Sequence, residues 1–217
     1  MPKVIIFDCW ETLFTTDINP HPFRVFAERI GQSVRDRTFV KSFETHLMLD
    51  GYADLRAPVG RLLDEWGLAD KHNLIPELVA ILDESTRHQV AFADTVATLT
   101  NLKTDYRLVL LTNSFKQGLD ALRTGQNLDQ YFDLILPSFE IHHIKPAREF
   151  FNEVIEHYKL PPAEMVMVGD NLLDDIKPAE NLGMKGILLD RRGRYPGHDQ
   201  RVTTLEEVVG RLDVMRG

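Results

Sequence analysis

Five short apolar runs constrain the fold more than any other feature of the chain: VIIF at 4–7, LVLL at 108–111, LIL at 134–136, MVMV at 165–168 and GILL at 186–189. Each is continuously hydrophobic rather than alternating, as strands buried on both faces are. Amphipathic stretches at 95–102, 118–124, 147–158 and 174–182 lie between them, with Gly183 as a stop for the last, and a final helix is expected near 205–212. Strands joined by helical crossovers form a parallel sheet covered on both faces. The fold class is therefore α/β, a Rossmann-like core with five main strands. Ligands of such sheets bind at the carboxyl ends of the strands. Here those ends carry Asp8, Thr112-Asn113-Ser114, Pro137-Ser138 and Gly169-Asp170-Asn171.

The segment 15–88 breaks this alternation and reads as helices only. Its apolar spacings include Phe23, Phe26 and Ile30, then Phe39, Val40, Phe43 and Leu47, and later Leu74, Leu78 and Leu82. The expected organisation is a core domain made of 1–14 and 89–217, with an all-helical cap of 15–88 inserted after the first strand. Standing over the carboxyl edge of the sheet, such a cap can close on a substrate and exclude water.

Four stretches on that edge, in this order, resemble the motifs of the haloacid dehalogenase superfamily of hydrolases across nearly the whole chain: FDCWETLF, LLTNS, IKPAREFF and VGDNLLDDIKPAENLGM. The helical insertion resembles that family's C1-type cap. The resemblance implies a nucleophile at Asp8, a phosphoryl-holding hydroxyl at Thr112 and the family lysine at Lys145. It also implies metal ligation by Asp8, Asp170, the backbone carbonyl of Trp10 and the second acidic position, Asp175. Asp174 falls in a variable slot and reads as a first-turn helix charge.

The chemistry of these residue types agrees. A carboxylate can attack phosphorus or carbon to give a covalent intermediate that water then cleaves. Lys145 supplies a point charge for the nucleophile and the transferring group, and Thr112 and the Asn113 amide supply uncharged donors for phosphoryl oxygens. Crowded carboxylates repel one another, and hard oxygen ligands without His or Cys at suitable spacing point to Mg²⁺.

Trp10 is the departure. Phosphatases of the resembled family usually carry a second Asp two residues after the nucleophile, which protonates the leaving group and later activates water. Trp10 can do neither, and a positioned acid or base is worth about 10²- to 10⁴-fold. Glu11 also departs, standing where the family commonly has Gly. Three readings follow, in order of preference. The first is a Mg²⁺-dependent phosphohydrolase whose leaving group needs no proton, or whose acid comes from Glu11 or a cap residue. The second is a 2-haloacid dehalogenase-type hydrolase, with Trp10 walling an apolar pocket. The third is a binding protein that keeps the fold without turnover. The acidic VGDNLLDD loop favours the first.

Charge narrows the partners. Lys and Arg total 25 against 33 for Asp and Glu, a net charge of -8, and no basic stripe is present. Nucleic acid is not expected, and a small-molecule substrate is. No apolar run reaches the length of a membrane span, no secretory segment precedes the first strand, and the single cysteine, Cys9, fits a reducing compartment; a cytoplasmic location is the expectation. Strand alternation turns Cys9 into the core, and the adjacent His142 and His143 read as solvated loop residues. Arg24, Arg35, Arg37, Arg56 and Arg61 read mostly as a solvated face of the cap, and the 191–197 stretch as a surface loop.

Overall fold

The computed structural model describes residues 1–198 and 201–216. Its main sheet contains β1 (Val4–Phe7), β4 (Arg107–Thr112), β5 (Leu134–Pro137), β6 (Met165–Gly169) and β7 (Lys185–Leu188), all parallel, in the order β5-β4-β1-β6-β7. The strand order reverses at β1, so the crevice between the β1 and β6 ends is the switch point where sheets of this kind bind ligands.

Alternate residues of each strand feed opposite cores, which explains the unbroken apolar runs. Ile5, Phe7, Leu108, Leu110, Val166 and Val168 pack toward α5 (Thr95–Leu102), α6 (Lys116–Gln126) and α10 (Leu205–Arg216). Val4, Ile6, Val109, Leu111, Met165 and Met167 face α8 (Arg148–Tyr158) and α9 (Lys177–Asn181). Cys9 is fully buried in the first of these cores, as alternation requires.

Four α-helices lie within residues 15–88: α1 (Pro22–Arg29), α2 (Arg37–Met48), α3 (Arg56–Glu65) and α4 (Ile75–Arg87). His21 caps α1 through its ring nitrogen with Pro22 in the first turn, and the Asp36 carboxylate caps α2 by accepting from the Thr38 and Phe39 amides. Phe26, Phe39, Phe43, Leu47, Leu62, Leu63, Leu78 and Leu82 form a separate apolar cluster there. Phe115, just beyond β4, joins that cluster and ties the inserted helices to the sheet edge.

The segment is not helical throughout. β2 (Phe14–Thr16) and β3 (Gln89–Ala91) pair antiparallel, Thr16 opposite Gln89, as a two-strand ribbon at the root of the insertion. Three residues per strand are too few for alternation to register against the surrounding helical periodicity, so the ribbon is invisible in the pattern. A four-residue helix, α7 (Ser138–Ile141), also follows β5. The helix expected at 174–182 begins instead with a single wide π-type turn over Leu172–Ile176 and becomes α-helical at Lys177. Such turns gather at functional sites because they re-aim side chains within a helix. None of the helices among the described residues is long and apolar enough to cross a membrane.

Candidate active site

β1 delivers Asp8 to the sheet edge, where its amide donates to the Val168 carbonyl of β6. The carboxylate is held on both oxygens: the Thr12 hydroxyl donates to Oδ2 at 2.9 Å and Lys145 Nζ donates to Oδ1 at 2.5 Å. Lys145 reaches Asp175 Oδ1 with the same ammonium at 2.7 Å. All three groups are buried. The loop that carries Lys145 is fixed by Asn113, whose side-chain oxygen accepts from the Lys145 amide at 2.9 Å and whose amide donates to the Lys145 carbonyl at 3.3 Å. The β4 end thus sets the position of the lysine.

Asp175 descends from the wide turn onto the end of β6, where Oδ2 accepts from the Asn171 amide at 3.0 Å. This close approach needs Gly169, because a Cβ there would lie 2.4 Å from the Asp175 carboxylate. Burial, and then the Asp8 charge, push the Asp175 carboxyl up against the opposing effect of Lys145. Asp170 is raised by burial first and by Asp8 and Asp175 next, while the Arg194 guanidinium bound to its carboxylate works the other way. Desolvation of Lys145 is outweighed by its two carboxylates, so its pKa is raised and it stays charged.

Asp8, Asp170 and Asp175 each offer an oxygen within 4.8 Å of one another. An all-oxygen set of buried, mutually repelling carboxylates is the donor chemistry a hard divalent cation takes, so the residues fit Mg²⁺.

A cavity of about 270 Å³ opens over this cluster, between the sheet edge and the inserted helices. Asp8, Trp10, Asn113, Lys145, Asp170 and Asp175 line it. Thr112 is not among the lining residues; it is fully buried, its hydroxyl directed at the Asn113 carbonyl at 3.4 Å. The Trp10 indole donates to the Ser114 hydroxyl at 3.4 Å and forms part of the apolar wall with Phe23, Phe43 and Phe115. Glu11 takes φ +62°, a left-handed conformation in which a glycine is at ease. Its side chain accepts from Thr15 and pairs with Arg192, which anchors the turn.

The surface readings hold for most of the expected solvated groups. The His142 side chain is 66% exposed while paired with Asp50, Arg24 and Arg56 pair with neighbouring acids at the surface, and Arg61 lies over the Tyr52 ring. Other side chains escaped the sequence reading. Asp174 stands in the first turn as expected, and Arg37 and Lys41 of α2 both reach it, at 2.6 and 3.2 Å, so this charge is also a buried contact between insertion and core. The 191–197 stretch is not a plain surface loop. Arg191 clamps Asp94 and donates to the Thr12 carbonyl at 3.0 Å, and Arg194 binds Asp170. Nothing local in the sequence marks these contacts, since each joins residues far apart along the chain.

A family model described as haloacid dehalogenase-like hydrolase matches residues 2–183. Among curated proteins, the N-acylneuraminate-9-phosphatase of Mus musculus is 35% identical over 133 residues, 60% of this chain and 53% of that protein. The glyceraldehyde 3-phosphate phosphatase of Methanothermobacter thermautotrophicus is 35% identical over 124 residues, 53% of this chain and 54% of that protein. The chain therefore spans about half the length of these relatives. Among solved structures, a HAD phosphatase from Thermococcus onnurineus covers 97% of both chains with a TM-score of 0.64 at 24% identity. A 2-haloacid dehalogenase from Pseudomonas syringae covers 98% of this chain and 100% of its own with a TM-score of 0.64 at 23% identity. Both likenesses show the shared fold.

Proposed function

The chain belongs to the haloacid dehalogenase-like hydrolase family, and from that premise we propose that it is a Mg²⁺-dependent phosphohydrolase of small phosphorylated metabolites that works through an aspartyl-phosphate at Asp8. One observation carries the reading: a single buried ammonium, Lys145, bridges Asp8 and Asp175 while Asp170 stands beside them at the topological switch point. The names of the curated relatives support phosphoryl chemistry over dehalogenation. The helices within 15–88 act as the cap, and the cavity they cover has the size of a small substrate.

Asp8 attacks phosphorus with a carboxylate whose orientation Thr12 and Lys145 have already set, so little reorganisation remains at the moment of reaction. Lys145 offsets charge on the transferring group, and the Asn113 amide and the Thr112 end of β4 shape the pocket for its equatorial oxygens. Asp8, Asp170, Asp175 and the Trp10 carbonyl would hold Mg²⁺, which would supply charge neutralisation for the phosphoryl group and for the excess carboxylates. Trp10 closes the apolar side and excludes water. It contributes no proton, so either the leaving group departs unaided or another group in the cavity supplies one.

Aryl and acyl phosphates work as probes in both cases. Rapid quench of the protein with labelled 4-nitrophenyl phosphate and Mg²⁺ is expected to trap a label on Asp8. No label, together with no release of phosphate, would overturn the phosphohydrolase reading. The second reading rests on the aromatic Trp10 wall, and release of chloride from an L-2-haloacid without metal would favour it.

A further inference from the structure

We propose that Glu44, delivered by the inserted helix α2, is the general acid and base of this site and takes over the role that Trp10 cannot perform. The assignment rests on the phosphohydrolase reading above. Among the described residues six carboxyl groups line the cavity: Asp8, Glu11, Glu44, Asp170, Asp174 and Asp175. Asp8, Asp170 and Asp175 belong to the nucleophile and metal cluster. Asp174 is pinned by Arg37 at 2.6 Å and by the Asn171 amide group at 2.8 Å. Glu11 is tied to Arg192 and to the Thr15 hydroxyl at 2.7 Å, where it anchors the turn after Asp8. Among the described residues, Glu44 alone of the six has no assignment in the nucleophile cluster and no arginine against it.

Helix geometry explains why Glu44 points where it does. Phe39, Phe43 and Leu47 recur four residues apart and fill the apolar cluster of the insertion. Arg37, Lys41 and Glu44 recur at four and three, a neighbouring stripe of the same helix, and that stripe faces the sheet edge. Lys41 Nζ donates to the Lys145 carbonyl at 2.8 Å and to Glu44 Oε2 at 2.6 Å, which fastens the stripe to the loop carrying the catalytic lysine. The Asn113 side chain, which fixes the loop carrying Lys145, lines the same cavity as Glu44 from the β4 end. Glu44 thus lines the cavity from the inserted helix α2, while Asp8 lines it from the sheet edge.

The surroundings keep Glu44 able to carry a proton. Lys41 is shared between Glu44 and Asp174, so its one charge is divided between two carboxylates. Burial raises the Glu44 carboxyl, Lys41 lowers it, the Asp174 charge raises it and Asn113 lowers it, and the net direction is upward. Arg37 and Lys145, the other cations at this junction, are engaged by Asp174 and by the Asp8–Asp175 pair.

The chemistry balances in two steps. As Asp8 forms its bond to phosphorus and the bond to the leaving oxygen breaks, Glu44 gives its proton to that oxygen. Water then attacks phosphorus while Glu44 takes a proton from it, the Asp8–phosphorus bond breaks, and phosphate leaves with Asp8 and Glu44 restored.

Glu44→Gln separates the two steps. With 4-nitrophenyl phosphate, whose leaving group needs no proton, the variant is expected to keep the pre-steady-state burst of nitrophenolate. Its steady-state rate should fall by about 10²- to 10⁴-fold, with phosphorylated Asp8 accumulating. With glycerol 2-phosphate, an alkyl ester, formation of the phosphorylated intermediate itself should fall by a similar factor. Glu44→Asp should recover part of the steady-state rate. Loss of the aryl burst in a variant that melts like the unmodified protein would assign Glu44 to placement and overturn the proposal, as would steady-state rates unchanged for both substrates. The unmodified protein gives an independent measure. Because Glu44 must be protonated to donate, phosphorylation by the alkyl ester should fall as pH rises, along a limb that the aryl burst lacks. The same limb for both substrates would overturn the assignment while leaving the phosphohydrolase reading intact; no turnover of either substrate would remove both.

Discussion

Asp8→Asn is expected to abolish turnover, by roughly 10⁶-fold, the scale seen when the nucleophile of a covalent mechanism is removed, and to abolish the acid-stable label on the protein. The substitution leaves the side-chain volume almost unchanged. The new amide oxygen can accept from Lys145, and the Thr12 hydroxyl can turn to accept from the amide nitrogen, at the places where the two donors now hold Asp8 at 2.5 and 2.9 Å. It also removes one of three carboxylates whose oxygens crowd within 4.8 Å. Thermal unfolding without added metal should therefore be unchanged or shifted upward, while the stabilisation gained on adding Mg²⁺ should shrink. The combination matters, because a variant that is inactive merely through misfolding would melt lower. Retained turnover in Asp8→Asn would remove Asp8 as nucleophile.

Lys145→Met is expected to have the largest effect on stability. It keeps most of the buried stem and deletes the charge, leaving Asp8 and Asp175 without their shared cation at positions where both are nearly sealed from solvent. Breaking a buried pair in this way costs about 3–5 kcal/mol, or roughly 6–20 °C in melting temperature for a chain of this size. The pH dependence has a defined sign. The Asp175 carboxyl is already raised by burial and by Asp8, and losing Lys145 raises it further. A carboxyl raised above its unfolded value favours the folded state most below the unfolded pKa and loses that advantage as pH rises through the folded one. The Lys145→Met deficit should therefore be smallest near pH 4 and grow toward pH 8 in a series of melts. A deficit that does not change with pH would mean that packing, rather than charge, holds the lysine. Turnover should fall by about 10²- to 10³-fold from lost charge stabilisation.

Much of this site is legible in the sequence because the sheet does the assembling. Asp8, Asn113 and Asp170 each follow an apolar run, and parallel topology brings the ends of such runs to one edge whatever lies between them. Lys145 and Asp175 are legible through the motifs they sit in, and the structure places both against Asp8 or its partner lysine. What the pattern does not carry is the meeting of separately folded surfaces. Arg37, Lys41 and Glu44 look like the ordinary polar side of an amphipathic helix, and only the docking of α2 shows that Arg37 and Lys41 meet the core at Asp174 and the Lys145 loop while Glu44 reaches the cavity. Arg194 belongs to a loop without periodicity, yet it neutralises Asp170. The wide turn at Leu172–Ile176 is hidden for a different reason: an acidic, leucine-containing stretch suits an α-helix equally well, and the close approach of Asp175 to Gly169 that accompanies the widening is a tertiary contact. Thr112, also singled out by its motif, is fully buried with its hydroxyl directed at the Asn113 carbonyl.

The small ribbon of β2 and β3 has a consequence for how such a chain can be remodelled. Thr16 and Gln89 sit opposite one another, so everything between them is, to the rest of the fold, a loop whose two ends already touch. The entropic cost of closing a loop grows by only about 0.6 kcal/mol for each doubling of its length. The insertion can therefore lengthen, shrink or be exchanged for another of different shape without re-threading the parallel sheet or moving Asp8. All change in the insertion passes through one doorway three residue pairs long, and a designer can use that doorway to exchange what covers the sheet edge.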